Sequence, residues 1–168
     1  MDGDSNRSAI AWAEAGRLPF KVVDESDAAQ AVGDFEHVVI DTAARPSLED
    51  LRALAENCDL VILPTTAEAM ALRAMFETAG ALQEMGAKNF KALITVVPPR
   101  PSRDGEDAHA SILSAGLPVF GHVIRRAVAF SKASLEGCLV SEVSNPRAAA
   151  CWADYLKVGA EIFGGELT

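Results

Sequence analysis

Two short acidic stretches contain the residues of this chain best suited to chemistry on a phosphate or a metal ion. Asp2 and Asp4 flank a glycine in "MDGDSN", and Asp41 ends the apolar run "HVVID". An acid at the end of a buried strand is where nucleotide-binding proteins hold Mg²⁺, often through water. Carboxylates that converge there also suit the orientation of an attacking water. The competing interpretation is that Asp41 caps a turn, and that Asp2 and Asp4 belong to a fraying terminus.

The chain is acidic overall but has one locally basic stretch. Its 168 residues include 24 Asp and Glu against 15 Lys and Arg, a formal net charge of −9. That balance argues against a protein that coats nucleic acid, because phosphate binding needs a basic surface. Between residues 88 and 132, however, seven Lys and Arg stand against three acids. A local basic patch therefore remains open.

The cysteines and the hydropathy pattern bear on the compartment. Cys58, Cys138 and Cys151 are far apart in sequence and have no metal-ligand spacing, so they indicate buried or free thiols in a reducing compartment. No stretch approaches the roughly 18 apolar residues that span a bilayer. The first residues are acidic and polar, unlike a signal peptide. We therefore expect a cytoplasmic protein with no membrane contact.

Apolar runs alternate with segments of helical periodicity along the chain. The predicted strands cover 37–41, 59–65, 91–97 and 118–124, and the predicted helices cover 47–58, 67–89, 104–115 and a segment starting near Asn145. Continuous apolar runs are typical of strands buried on both faces, and helices between them indicate βαβ units. The predicted fold class is α/β, with a mostly parallel sheet flanked by helices in a single domain over 1–168.

Capping and periodicity give the helices more definite predictions. Ser47 is a candidate N-cap with Asp50 three residues on, and Asn145 is a candidate N-cap with Pro146 at the first helical position. The expected apolar faces are Leu72, Met75, Phe76, Ala79 and Leu82 on the second helix, and Trp152, Leu156, Gly159 and Phe163 on the last.

In open parallel sheets, ligands bind beyond the carboxyl ends of the strands. The residues to examine are therefore those that follow each apolar run, at 41–42, 64–66, 97–100 and 124–126.

The order of the motifs resembles one family. "D-x-D-x-x-x-x-A", "VVIDT", "DLVILPTTAEAMAL", "ALITVVPPRPSR" and "VFGHVIRRAVAFSKAS" follow one another from Met1 to about Phe163. This series is similar to that of the ParA/MinD family, the deviant-Walker P-loop ATPases that partition plasmids and chromosomes. Each motif alone is weak, whereas five in the family's order and at about its spacing are fairly specific.

The resemblance implies roles for individual residues. It makes Asp4 the switch I acid that helps to position the hydrolytic water, with Asp2 beside it, and Asp41 the switch II acid that holds Mg²⁺ through water. It places Pro98, Arg100 and Arg126 on the nucleotide-base side of the site. For the family's sequence-independent DNA binding, the candidates are Arg103, Arg125 and Lys132. These cations are equally explained as residues that solvate loops.

The resemblance also implies partners and cofactors. We expect ATP and Mg²⁺ as ligands, a homodimer or other self-association, non-specific DNA, and a ParB-like or other adaptor protein. The helix after "LPTT" would line the dimer interface. Two departures weaken the DNA inference more than the fold inference: Pro46 is displaced in "DTAARP", and Ala129 occupies a position that is basic in partition proteins.

The largest departure is the phosphate-binding loop. No "KGGxGKT"-type motif occurs in the 168 residues, and "MGAKNF" at 85–90 lies before a strand, in the wrong context. We therefore expect a P-loop NTPase-like domain truncated at its N-terminus, either a fragment or a truncated homologue, with ATP binding in doubt and the ATPase inactive as it stands.

Three alternatives remain. A non-enzymatic remnant without a P-loop would act through protein contacts, for example through the helix face at 67–82. An amidoligase of the same superfamily would need the P-loop and also a glutaminase domain with a reactive cysteine. Nothing in the sequence indicates such a domain. A receiver-like or flavodoxin-like domain fits the motifs at 98–134 badly.

Overall fold

The centre of the larger compact unit is a two-stranded parallel sheet. The structure is a computed structural model and describes residues 1–4, 6–44 and 46–165. Strand β1, Val61–Thr65, pairs in parallel with strand β2, Phe90–Ile94, from Val61 opposite Phe90 to Thr65 opposite Ile94. The α/β class with a parallel sheet is therefore confirmed, although both strands are shorter than their apolar runs.

The predicted fourth strand lies beside β2 but is irregular. Single parallel bridges join Ala92 to Val119 and Val97 to Arg125. Between these two bridges the pairing register slips by one residue, while Ile124 N donates to Ile94 O at 3.0 Å. The run 118–124 thus occupies the third position in the sheet without forming a continuous ladder.

Seven α-helices are assigned within the described ranges. They are α1 Ser8–Ala13, α2 Ala28–Ala31, α3 Leu48–Asn57, α4 Ala69–Glu84, α5 Asp104–Ser114, α6 Val128–Glu136 and α7 Ala148–Phe163, together with shorter 3₁₀ turns at Glu25–Asp27, Val32–Asp34 and Val140–Glu142 that bring the helical segments to ten. Ser47 caps α3 with the reciprocal bonds of a capping box to Asp50, as predicted. Gly116, with φ +73°, follows α5 at the predicted position.

The core of this unit confirms the apolar face predicted for α4. Met75, Ala79 and Leu82 are buried, and Leu72 and Phe76 pack against the same cluster. Beneath them lie the buried side chains of β2, and Ile112 of α5 closes the cluster. The contact face of α4 suggested for a partner is therefore occupied by the protein's own core.

The predicted inward face of α7 is wrong by about one residue. The buried side chains are Cys151, Asp154 and Val158, whereas Phe163 is exposed. Hydrogen bonds explain the shift. Asp154 and, further along, Glu161 accept hydrogen bonds from the 121–125 segment beside β2. These two acids, rather than Trp152 and Leu156, therefore set the rotation of the helix. Helix α7 also begins at Ala148, two residues after the predicted Pro146, while Asn145 Oδ1 accepts a hydrogen bond from Arg147 N at 2.9 Å.

The prediction of a buried strand at 37–41 is also wrong. Within this run only Asp41 forms a bridge, and Val39 is 80% exposed. Val38 and Ile40 are exposed as well. An apolar run becomes a buried strand only when tertiary neighbours cover it, and none of the described residues does so here.

The smaller compact unit comprises Met1–Pro46 and Val128–Ala148. In it, α1 docks on α6: Trp12 Nε1 donates to Ala133 O at 3.2 Å, and Trp12 meets Phe20 edge-on with ring centroids 6.5 Å apart. Gly137, with φ +62°, lies so close to Ala15 and Trp12 O that no side chain fits there. No helix within the described ranges is long and apolar enough to cross a bilayer.

Candidate functional site

Three extended segments of the smaller unit bring aspartates to one edge. Asp2 lies between Asp24 and Asp41, with a parallel bridge to each. Asp2 N donates to Val23 O at 2.9 Å, and Gly3 N donates to Asp41 O at 2.8 Å. We call Asp2, Asp4, Asp24 and Asp41 the acid edge. The structure thus brings together the three aspartates that the sequence singled out.

Asp2 has a positioning role at the acid edge. The residue is 3% exposed, and its two carboxylate oxygens accept hydrogen bonds from Asp4 N at 3.2 Å and from Ile10 N at 3.0 Å. It therefore orients the Asp4 turn and the first turn of α1. Because both carboxylate oxygens already accept hydrogen bonds from backbone N–H groups, Asp2 is poorly placed to bind a further ligand.

Asp4 and Asp41 are more accessible than Asp2. Asp4 Oδ1 accepts a hydrogen bond from Asn6 N at 3.2 Å. Burial raises the pKa of Asp41, the negative charges of Asp2 and then Asp4 raise it further, and the Met1 ammonium opposes them. The negative field of its neighbours at this edge would favour a bound cation.

Asp24 is the acid that sequence reasoning missed. Its Oδ1 accepts hydrogen bonds from Ser26 N at 2.9 Å and from Ser26 Oγ at 2.6 Å, and its Oδ2 forms an ion pair with Arg7. A signal was present: "VVD" at 22–24 ends in an acid as "VVID" does. The pattern was too short to stand out from an ordinary turn.

The acid edge does not by itself form a protein-only metal site. Among the described residues, no group of three or more His, Cys, Asp and Glu is arranged to hold a metal ion. Mg²⁺ commonly keeps several waters and takes only one or two carboxylates, with phosphate oxygens completing its shell. The residues present fit that water-mediated mode.

In the larger unit, the chain after β2 forms a strained loop at the carboxyl end of the sheet. Val96 has φ +55°, which is an outlier for a β-branched residue. Pro98 follows and is half-buried. Strain of this kind concentrates at binding and switch regions.

Arg100 and Arg103 lie further along the chain, and each forms an ion pair with Glu106. Arg100 Nη2 lies 2.9 Å from Glu106 Oε1, and Arg103 Nε lies 3.4 Å from Glu106 Oε2. Together with Pro101 and Ser102 they line a shallow surface groove. Both side chains are mostly exposed, so these ion pairs are weak and open to exchange.

The turn after the third segment holds two arginines with different surroundings. Arg125 forms a bidentate pair with Asp154, through Nε at 2.6 Å and Nη2 at 2.7 Å. Its hydrogen bond to Asp154 raises the pKa of Arg125. Arg126 is exposed, and its backbone N donates to Val97 O at 2.7 Å.

In the smaller unit, Lys132 is exposed on α6, whereas Ala129 is fully buried.

Glu161 makes a second attachment between α7 and the same segment. Its oxygens accept hydrogen bonds from Gly121 N at 3.0 Å, His122 N at 2.9 Å and Lys91 Nζ at 3.1 Å. Burial acts to raise the pKa of Glu161, but these bonds and one from the His122 ring outweigh it and lower the pKa to about 2. Lys91 Nζ also lies 4.4 Å from the Phe120 ring centroid. We call Asp154 and Glu161 the α7 clamp.

The α7 clamp was also missed from the sequence. The available signal was Lys91, a cation at the start of an apolar run, together with two acids seven residues apart on one helix. Each is ordinary alone, because acids on helices are usually solvated. Only the sheet register shows which cation each acid meets.

The fold is similar to that of the MinD cell division protein. MinD cell division protein of Aquifex aeolicus superposes with a TM-score of 0.60 at 13% identity, covering 85% of this chain. A chain of the MinC:MinD cell division protein complex of Aquifex aeolicus gives a TM-score of 0.58 at 12% identity, covering 99% of this chain and 84% of its own length. The chain spans only 59% of the first of these structures.

The sequence is also similar to that of a known protein. The maintenance of carboxysome distribution protein A of Gloeobacter kilaueensis is 28% identical over 169 residues, covering 96% of this chain and 78% of that protein. No protein-family model matches the sequence. Together the comparisons support the ParA/MinD-like resemblance that the motifs indicate.

Proposed function

We propose that this chain contributes to a ParA/MinD-like positioning ATPase, which dimerises with ATP and moves or spaces a large cargo in the cytoplasm. The observation that carries the proposal is the similarity to a carboxysome distribution protein over 96% of this chain. Non-specific DNA and a ParB-like or other adaptor protein are the partners that this function would use. The acid edge is its chemical centre.

Within this proposal, Asp41 holds Mg²⁺ through water and Asp4 helps to orient the attacking water. Burial is the main cause of the raised pKa of Asp41, and the negative charges of Asp2 and Asp4 add to it; that added negative field supports the first role, because it favours a cation as it favours a proton. Asp2 supports the second by fixing the backbone N of Asp4 at 3.2 Å. Asp2 is then a positioning residue rather than a contact to the nucleotide.

The phosphate-binding half of such a site is not supplied by these 168 residues. They contain no glycine-rich loop with a lysine between a strand and a helix. Such a loop provides the backbone N–H groups and the charge that hold the phosphates. The proposed function therefore requires residues from outside this sequence, and we expect this chain alone to bind ATP weakly or not at all.

On the larger unit, Pro98, Arg100 and Arg126 remain the proposed contacts on the nucleotide-base side. Arg103, Arg125 and Lys132 were proposed for DNA. The exposed positions of Arg103 and Lys132 support that role, and their loss would weaken binding uniformly across DNA sequences.

The test is calorimetry with ATPγS and Mg²⁺, on this chain and on the gene product including any residues encoded before Met1. We expect binding by the longer polypeptide only. In that polypeptide, Asp41→Asn should weaken Mg²⁺-dependent binding by tenfold or more. The matched control is Asp34→Asn, which removes an exposed carboxylate of the same unit away from the acid edge.

Two outcomes would count against the proposal. Binding by the short chain would show that the missing loop is not required. Binding by neither polypeptide would favour a non-enzymatic protein that acts through protein contacts, and the oligomeric state and bound partners would then be measured.

A further inference from the structure

Arg125 and Arg126 are neighbours in sequence but differ in what holds them. The Arg125 guanidinium donates to both carboxylate oxygens of Asp154, and the Arg125 backbone N donates to Asp154 Oδ2 at 3.2 Å. Asp154 is 6% exposed, so its charge depends on this partner. No side-chain hydrogen bond or ion pair of Arg126 is found within the described part of the chain, and the residue is exposed.

The local backbone accounts for this difference. Arg125 forms a parallel bridge with Val97, and the adjacent Arg126 N donates to Val97 O. Successive side chains in an extended segment point to opposite sides. Once Asp154 draws Arg125 towards α7, Arg126 is directed away from that helix.

We propose that Asp154 is a positioning residue for this turn, which withdraws Arg125 from ligand binding and presents Arg126 as the arginine that meets a phosphate oxygen. The phosphate belongs to DNA or to a nucleotide. This assignment rests on the proposed function for its ligand, and it reverses the sequence-based choice of Arg125 as a DNA contact. The Arg125 side chain is 44% exposed, but its Nε and Nη2 are both held by Asp154 and its charge is paired, so it offers a second anion only its Nη1 edge.

The first test is independent of any ligand. The native protein is treated with an arginine-specific dicarbonyl reagent, and modification is located by peptide fragmentation, with exposed Arg52 as the internal standard. We expect Arg126 to react like Arg52 and Arg125 to react several-fold more slowly. Asp154→Asn should raise the reactivity of Arg125 specifically. Equal reactivity of both arginines in the native protein would overturn the proposal.

The second test separates a phosphate contact from a positioning role. DNA binding to a mixed-sequence duplex is measured between about 50 and 200 mM salt, where losing one phosphate contact lowers the slope of log K against log salt by about 1. Arg126→Ala should reduce the slope in this way. The double variant Arg125→Leu/Asp154→Leu, which leaves no buried charge unpaired, should weaken binding several-fold at every salt concentration with the slope unchanged.

The outcomes distinguish this inference from the proposed function. A slope reduced by Arg125→Leu/Asp154→Leu, or affinity unaffected by it, overturns the inference, as does an unchanged slope with Arg126→Ala. If the wild-type gene product binds no DNA, the same variants are tested with ATPγS and Mg²⁺, where Arg126→Ala should weaken binding more than the double variant. If neither ligand is bound, the proposed function and the ligand assignment both fail, while the modification experiment still decides the roles of the two arginines.

Discussion

The acid edge has four carboxylates and the α7 clamp has two, and the surroundings of these carboxylates shift their pKa values in opposite directions. At the clamp, Asp154 meets Arg125, and Glu161 meets Lys91 and three donors of the 121–122 turn. The pKa of Glu161 falls to about 2 as a result. At the acid edge, burial and then the neighbouring carboxylates instead raise the pKa of Asp41.

This difference separates stability from function. Carboxylates whose charge is satisfied by donors fasten one element to another. Carboxylates crowded together cost free energy in the unliganded protein, and such crowding is typical of sites that bind or transform a ligand. Substitutions in each region in turn test this difference.

The largest effect is expected from breaking the clamp at Arg125. Arg125→Ala leaves Asp154 buried without its cation, and we expect the free energy of unfolding to fall by about 2–3 kcal/mol. Urea denaturation followed by circular dichroism measures it. Arg126→Ala is the matched control and should stay within about 0.5 kcal/mol of wild type. Equal losses for the two variants would remove the distinction between them.

The next largest effect concerns the docking that supports the acid edge. Gly137→Ala places a methyl group against Ala15 at a backbone with φ +62°, so we expect a loss of about 1–3 kcal/mol. Gly33→Ala is the control, since no atom of the described residues lies near its added carbon. Trp12 fluorescence, measured in a Trp152→Phe background, should report the loosened α1. An unaltered Trp12 signal together with wild-type stability would contradict this account.

A smaller effect is expected from Glu161, and its pH dependence has a defined sign. Because the folded pKa of about 2 lies below the ordinary 4.5, the stabilisation is complete above about pH 4.5 and is lost as pH falls towards 2. Glu161→Gln should flatten the stability profile across that window. Glu84→Gln, an exposed acid on α4, should leave the profile unchanged. Parallel profiles for wild type and Glu161→Gln would show that the clamp contributes nothing.

The smallest effect on stability, with the opposite sign, is expected at Asp41. Its folded pKa is raised above 3.8, so its contribution to stability decreases as pH rises through the window above 3.8 and stays unfavourable at neutral pH. Asp41→Asn should therefore increase the free energy of unfolding slightly at pH 7, by about 0.5 kcal/mol or less. Thermal melts at pH 4 and pH 7 measure this, with Asp34→Asn as control. A destabilised Asp41→Asn would place Asp41 with the clamp acids, and the contrast between the two regions would fail.

The sequence by itself determined the class of fold and most of the helices. The capping box at Ser47, the apolar face of α4 and the glycine after α5 are local or periodic features, and each needs only the residues beside it in the chain. The order of motifs likewise led to the family that the comparisons support. The tertiary structure alone decided what depends on distant partners. In the folded chain Val39 is exposed, α7 is rotated by about one residue from its predicted face, and Arg125 pairs with Asp154. The physical reason is that burial and charge pairing are set by residues brought together by the fold, whose identities no local pattern records.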